Sequence, residues 1–116
     1  MLRLACLLLA STVLILPCSG CGQGNAQLRN DLKQVGLGYH NFHDANRQGP
    51  ANWEEFLEFA KNSNEPLDSY QRVRDAGYEI TWGVKFSEMS GGLSNTVMAK
   101  PPGPGPTLMF DGSVRD

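Results

Sequence analysis

His40, His43 and Asp44 form the tightest group of side chains able to do chemistry in this 116-residue chain. The two histidines stand at i and i+3, so a helix would present them on one face. Two imidazoles and a carboxylate could hold a metal ion with an open coordination position. No distant nitrogen or sulfur names itself as a third strong ligand. His43 also follows Phe42 at the border of an apolar face, where an imidazole serves as a hydrogen-bonding group. Structural hydrogen bonding is the expected role, with His40, His43 and Asp44 kept as metal candidates only.

Cys18 and Cys21 spell C-x-x-C, the spacing of redox pairs and of half a zinc site. Neither context follows: there is no second cysteine pair, and the chain runs on into Gly22–Gln23–Gly24–Asn25. Glu54, Glu55 and Glu58 share a short segment, and paired carboxylates act as acid and base in glycosidases. Asn52–Trp53–Glu54–Glu55, however, reads as a capping box with Glu55 reaching back toward Asn52. All three carboxylates suit the positive end of a helix, so a solvated face is expected. There is no Gly-x-Ser-x-Gly, no phosphate-binding glycine loop and no nucleophile–base pair. A non-enzymatic protein without a cofactor is the expectation.

The remaining reactive group is Cys21, and its setting points to export. Arg3 supplies a positive start, Leu4–Leu16 is apolar except for Ser11 and Thr12, and Pro17–Gly22 is built of small residues and cysteines. That order is read by the export machinery as a signal peptide, here residues 1–20. The apolar run is shorter than the ~20 residues of a membrane-spanning helix. Ser19–Gly20–Cys21–Gly22 resembles a lipobox, in which the cysteine takes diacylglycerol and becomes the new N-terminus. Cys18 occupies the position where an aliphatic residue is usual. Cys21 is therefore the expected lipid attachment site, and ordinary secretory cleavage nearby is the alternative. Residues 21–26 would be a tether and residues 27–116 the folded domain. The net charge is −2, and no basic run exists, so nucleic acid is not an expected partner.

The elements follow from periodicity. Leu28, Leu32, Val35, Tyr39 and Phe42 are spaced 4, 3, 4, 3 and so lie on one face of a helix, with Asn25 as a candidate cap. Gly49 and Pro50 end it. Gly36 and Gly38 each weaken it by about 1 kcal/mol relative to alanine, and would allow a neighbour to approach closely. A second helix runs from the Asn52 cap with Trp53, Phe56, Leu57 and Ala60. A third opens at Pro66, carries Leu67, Tyr70 and Val73, and closes at Gly77. From Tyr78 to Val84 the period becomes two, predicting a half-buried strand. Asn95–Lys100 and Thr107–Phe110 are predicted strands, separated by the proline–glycine loop Pro101–Pro106. Asp111–Gly112 predicts a type I′ turn into a short fourth strand, Ser113–Arg115. The fold class is α+β, with N-terminal helices packed on a small antiparallel sheet.

Two of these segments carry a resemblance. Leu32–Asn46, with Leu32–Lys33–Gln34–Val35–Gly36–Leu37 leading into Tyr39–His40–Asn41–Phe42–His43–Asp44, resembles the "LKQIGLALHNYHD" helix. That helix belongs to the planctomycete pseudopilin-like family, domain of unknown function 1559. Phe110–Arg115 resembles that family's closing "ADGSVR" hairpin. Trp82–Val84 and Asn95–Ala99 are similar to strands of its short lipoprotein-type members. The resemblance implies a truncated pilin headgroup, a helix laid on an antiparallel sheet, with no established enzymatic activity. Larger members carry a prepilin leader and an apolar stem helix; here a lipoprotein-like signal stands in their place.

The expectation is an exported, non-enzymatic cell-envelope lipoprotein, membrane-anchored through Cys21 and otherwise periplasmic or secreted. It would serve as a structural or interaction module for an unidentified envelope protein. The sheet edge near Asn95–Met98 is the expected place for a partner strand. Two alternatives remain: a secreted or periplasmic metal-binding module using His40 and His43, and a minor component of a pilin or type II secretion-like apparatus.

Overall fold

The computed structural model describes residues 19–116, with side chains from Asn25 onward. The expected signal segment as far as Cys18, and the side chain of Cys21, lie outside the described residues. Three helices come first: α1 (Ser19–Asn46), α2 (Trp53–Asn62) and α3 (Leu67–Asp75). Four short strands follow: β1 (Glu79–Ile80), β2 (Val97–Lys100), β3 (Thr107–Met109) and β4 (Val114–Arg115). They form an antiparallel meander in the order β1-β2-β3-β4. The fold is the expected α+β arrangement, with helices preceding a small antiparallel sheet.

The 4, 3, 4, 3 spacing on α1 does what an amphipathic stripe must do. Leu32, Val35, Tyr39 and Phe42 are buried, and Leu28 is half-buried. They meet Phe56 and Ala60 of α2, Tyr70 and Val73 of α3, and Ile80, Met98, Ala99, Leu108 and Phe110 of the sheet side. α1 packs on α2 and α3 and also on β3 and β4. Gly36 and Gly38, two positions apart, lie about 200° apart around a helix. Gly36 faces Leu108 of β3, and Gly38 faces Tyr70 of α3. The helix is therefore covered on opposite sides, and each glycine sits where one neighbour comes close. Asp31, buried on α1, is held by Arg72 of α3 through two hydrogen bonds of 2.8 and 2.9 Å. A bidentate pair of this kind fixes orientation as well as distance.

Several boundaries differ from the sequence expectations. The described part of α1 starts at Ser19, so residues 21–26, expected as a tether, are helical and Asn25 is not a cap. Gly22 and Gly24 weaken a helix but, unlike proline, leave every backbone donor in place. At the other end the left-handed residue is Arg47 (φ 63), not Gly49, and its N–H donates to the carbonyl of His43. The predicted strand Tyr78–Val84 keeps its alternation, with Tyr78 and Ile80 buried, but only Glu79–Ile80 joins the ladder. Beyond Thr81 the backbone turns to the α1–α2 loop: Gly83 N–H donates to Pro50 and Val84 accepts from Gly49.

The predicted strand Asn95–Lys100 starts at Val97, because Leu93–Asn95 forms a 3-10 turn. The expected open edge at Asn95–Met98 is corrected as well. β2 is an inner strand, paired with β1 and β3, and the edges are β1 and β4. The β4 edge is covered in part, since Arg29 of α1 donates to the Val114 carbonyl and pairs with Asp116.

The closing hairpin also differs from its predicted type. A type I′ turn needs positive φ at both central residues, but only Gly112 (φ 90) has it. Gly112 N–H donates to Met109, and Met109 N–H donates to Ser113. The loop Phe110–Asp111–Gly112 is thus a type I turn closed by a glycine bulge. Asp111 Oδ1 accepts from both the backbone N–H and the hydroxyl of Ser113. These bonds to the charged form hold the Asp111 carboxyl below its usual range.

Candidate functional site

His40 and His43 do share the face of α1 that the i, i+3 spacing predicts, and Phe86 is what they face. The Phe86 ring lies flat on His43, centroids 3.7 Å apart and planes within 5°, and tilts against His40 at 4.7 Å. Tyr39 and Phe110 complete the cluster around the same ring. Each imidazole has a backbone partner. Phe86 N–H donates to Nε2 of His43 at 3.0 Å, so the proton of that neutral ring resides on Nδ1. Nε2 of His40 contacts the carbonyl oxygen of Phe110 at 2.5 Å, and since a carbonyl only accepts, this nitrogen is the donor. Nε2 therefore accepts in His43 and donates in His40. Together they fasten α1 to the 3-10 turn Phe86–Glu88 and to the closing hairpin.

The two Nε2 atoms engaged in this way are directed at backbone, not at a shared point. Asp44 is exposed and acts on His43 through charge alone. Among the described residues no group of three or more His, Cys, Asp or Glu is placed to hold a metal ion.

Burial lowers the His43 pKa from its ordinary value of 6.5, the Asp44 charge opposes that shift, and His40 adds to it. The flanking charged residues of the Phe86 turn, Lys85 and Glu88, are exposed. Protonation would turn the Nε2 acceptor into a donor facing the Phe86 N–H. Because the folded pKa is the lower one, the stabilising contribution is complete above about pH 6.5 and is lost as pH falls through the folded value. Urea midpoints measured from pH 7.5 down to 5.5 are expected to fall in the parent chain and to fall less in His43→Gln. Equal pH slopes in the two proteins would refute the assignment of this bond.

The α2 carboxylates separate into three roles. Glu55 N–H donates to Asn52 Oδ1 at 2.8 Å, and Glu55 Oε1 accepts from Ala51 N–H at 3.0 Å. The capping box is present, with its return bond made one residue ahead of the cap. Glu54 pairs with Arg74 of α3 at 2.7 Å. Glu58 is exposed and has no partner among the described residues.

One feature of the surface was not visible in the sequence. The last turn of α1 and one face of α2 leave an open cavity of about 450 Å³ between Phe42, Asn46, Glu55, Glu58, Phe59 and Asn62. Only the i, i+3, i+4, i+7 spacing of the α2 members hints at a shared face. Their α1 partners cannot be chosen until the loop Arg47–Asn52 is placed. Comparison with protein-family models, with curated proteins and with solved structures found no match to this chain.

Proposed function

We propose that this chain is a non-enzymatic cell-envelope lipoprotein of pseudopilin-like type, anchored through Cys21 and presenting its α+β domain as a structural or interaction module. The observation that carries the reading is the course of α1. Among its described side chains, Asn25, Ala26 and Gln27 are exposed, and Leu28 is the first that packs on the domain. From Cys21 to Leu28, where packing on the domain starts, the helix rises about 10 Å at 1.5 Å per residue, which would hold the domain off a lipid surface on a short stiff spacer. The apolar run Leu4–Leu16 and the small residues before Cys21 support export. The side chains best suited to chemistry, His40 and His43, are occupied in fastening the fold. The pseudopilin-like reading gains from the way its two motif segments meet. His40 contacts Phe110, and Gly36 lies against Gly112, so helix motif and hairpin motif form one packing unit.

Cys21→Ala is expected to move the protein from the membrane fraction to the soluble fraction, with the mature N-terminus losing its lipid mass. A variant that stays in the membrane fraction would overturn the anchor. One observation favours a second reading, a minor pilin-apparatus component. The described part of α1 is one unbroken helix from Ser19 to Asn46 that runs on into the packed domain, as a stem helix does into a pilin headgroup. Co-purification with pilin-system proteins, retained in Cys21→Ala, would select it.

A further inference from the structure

The cavity beside the end of α1 has a chemistry that selects its ligand. Its floor is aromatic: Phe42 is buried, Phe59 is half-buried, and their rings meet edge-on with centroids 5.0 Å apart. Its rim is polar, and the only charges on it are negative, with Asn62 as a neutral amide at the α2 end. The Asn46 amide group donates to the Phe42 carbonyl at 3.0 Å, and that of Gln48 donates to Gly83 at 3.2 Å. Their oxygens have no partner among the described residues. Glu55 spends one carboxylate oxygen on Ala51, and Glu58 spends neither. No lysine, arginine or histidine lines the cavity. The last carbonyls of α1, the negative end of its dipole, also terminate at this rim.

Acceptors and negative charge thus surround an apolar floor, and the side-chain donors on the lining are all neutral amides. The complement is a protonated amine or guanidinium on an apolar stem. The cation would reach Glu55 and Glu58, the stem would lie along the two rings, and a ring face would add cation–π attraction. An anion would meet like charge. A purely apolar ligand would leave the rim oxygens without water or a partner. We propose that this cavity binds small organic cations of the alkylamine or alkylguanidinium class. The site lies at the opposite end of α1 from Cys21, so it stands or falls independently of the lipid anchor.

The probe is agmatine, titrated into the isotopically labelled full chain in detergent and followed by amide shifts. Saturable shifts are expected in Asn46–Gly49 and Glu55–Asn62, weakened about threefold in Glu58→Gln, the size of an exposed ion pair. They are expected to weaken further as salt is raised. Glutarate and 1-pentanol, matched in stem but not in charge, are expected to give none. N-acetyl-arginine amide separates the sources of the cation: tighter binding than agmatine identifies a peptide side chain, weaker binding a free amine. Glu79→Gln, on the distant β1 edge, is expected to leave the titration unchanged. Absence of saturable shifts, an unchanged titration in Glu58→Gln, or equal binding of glutarate would each overturn the proposal.

Discussion

Gly49→Ala is expected to destabilise the domain by about 3 kcal/mol, at the upper end of overpacking costs. A Cβ at this position would stand 2.2 Å from the Tyr39 hydroxyl oxygen and 2.4 Å from its Cζ. Neither side of that contact yields easily. The Tyr39 side chain is fully buried, and its hydroxyl donates to the Thr81 carbonyl at 2.8 Å and accepts from Val84 N–H at 3.3 Å. Gly49 itself donates to Val84 at 2.9 Å, and Pro50 fixes the chain that follows. Gly49 has no positive φ, so the requirement is for space and not for a left-handed backbone. The substitution must pull apart a node that joins α1, the α1–α2 loop and the segment after β1. Tyr39→Phe isolates the polar part of that node. It leaves the Thr81 carbonyl and the Val84 amide without their partner, at a cost of about 1–2 kcal/mol. The double variant is expected to lose less than the sum of the two, because the hydroxyl clash has gone. Trp53 and Trp82, edge to face at 5.2 Å, provide the fluorescence signal for urea unfolding. A lower midpoint at unchanged slope is the expected result. A Gly49→Ala protein within about 0.5 kcal/mol of the parent would disprove the packing role, since that is the scatter of ordinary surface changes.

The same node shows where the sequence could be read and where it could not. Periodicity and capping motifs are local properties, so they placed the buried face of α1, the Asn52 cap of α2, and Tyr70 and Val73 of α3 correctly. Leu67 is only half-buried, and Ser69 is buried without having been expected. The α+β order followed from the change of period at Tyr78. What periodicity cannot supply is the path of the chain between elements. The alternation of Tyr78–Val84 is real, yet its last two residues, Gly83 and Val84, bond to Pro50 and Gly49 and not to a strand. The left-handed cap fell on Arg47 because Gly49 was already needed beside Tyr39, a long-range demand invisible in the loop's own composition. The hairpin was recognisable from Asp111–Gly112, but its loop length depends on how far β3 and β4 pair. For the histidines, spacing predicted a shared face. Their partners, Phe86 and Phe110, lie 43 and 70 residues away and could be identified only in three dimensions. The cavity is the extreme case. Its two walls come from different helices, and its acceptor-rich rim arises because Asn46 and Gln48 spend amide donors on Phe42 and Gly83 beside the carboxylates of Glu55 and Glu58.

Helix propensity alone predicts that Gly36→Ala and Gly38→Ala would each stabilise α1 by about 1 kcal/mol. The packing predicts opposite outcomes for two glycines in the same turn. A Cβ on Gly36 would lie 3.3 Å from a Leu108 methyl carbon and 3.6 Å from the Gly112 Cα. A leucine methyl can give by a few tenths of an ångström, so the propensity gain roughly offsets the crowding, and a change within about 1 kcal/mol is expected. A Cβ on Gly38 would lie 2.3 Å from the Tyr70 hydroxyl oxygen and 2.8 Å from its Cζ. Tyr70 is buried, its ring stacks on Phe56 at 4.7 Å, and its hydroxyl donates to Glu65 at 2.7 Å. Burial, followed by Glu65, pushes the Tyr70 pKa upward, so the hydroxyl keeps the proton that it donates. Displacing that ring costs its stacking and its hydrogen bond together. Gly38→Ala is therefore expected to lose about 2 kcal/mol net of the propensity gain. The discriminating measurement is the difference between the two variants in one urea series. If both alanines stabilise, propensity governs α1 and the close approach of α3 to Gly38 is not a constraint. If Gly38→Ala alone fails, the two glycines serve different contacts. α1 is then held between α3 and the sheet by the absence of a side chain on one side and by a yielding methyl on the other.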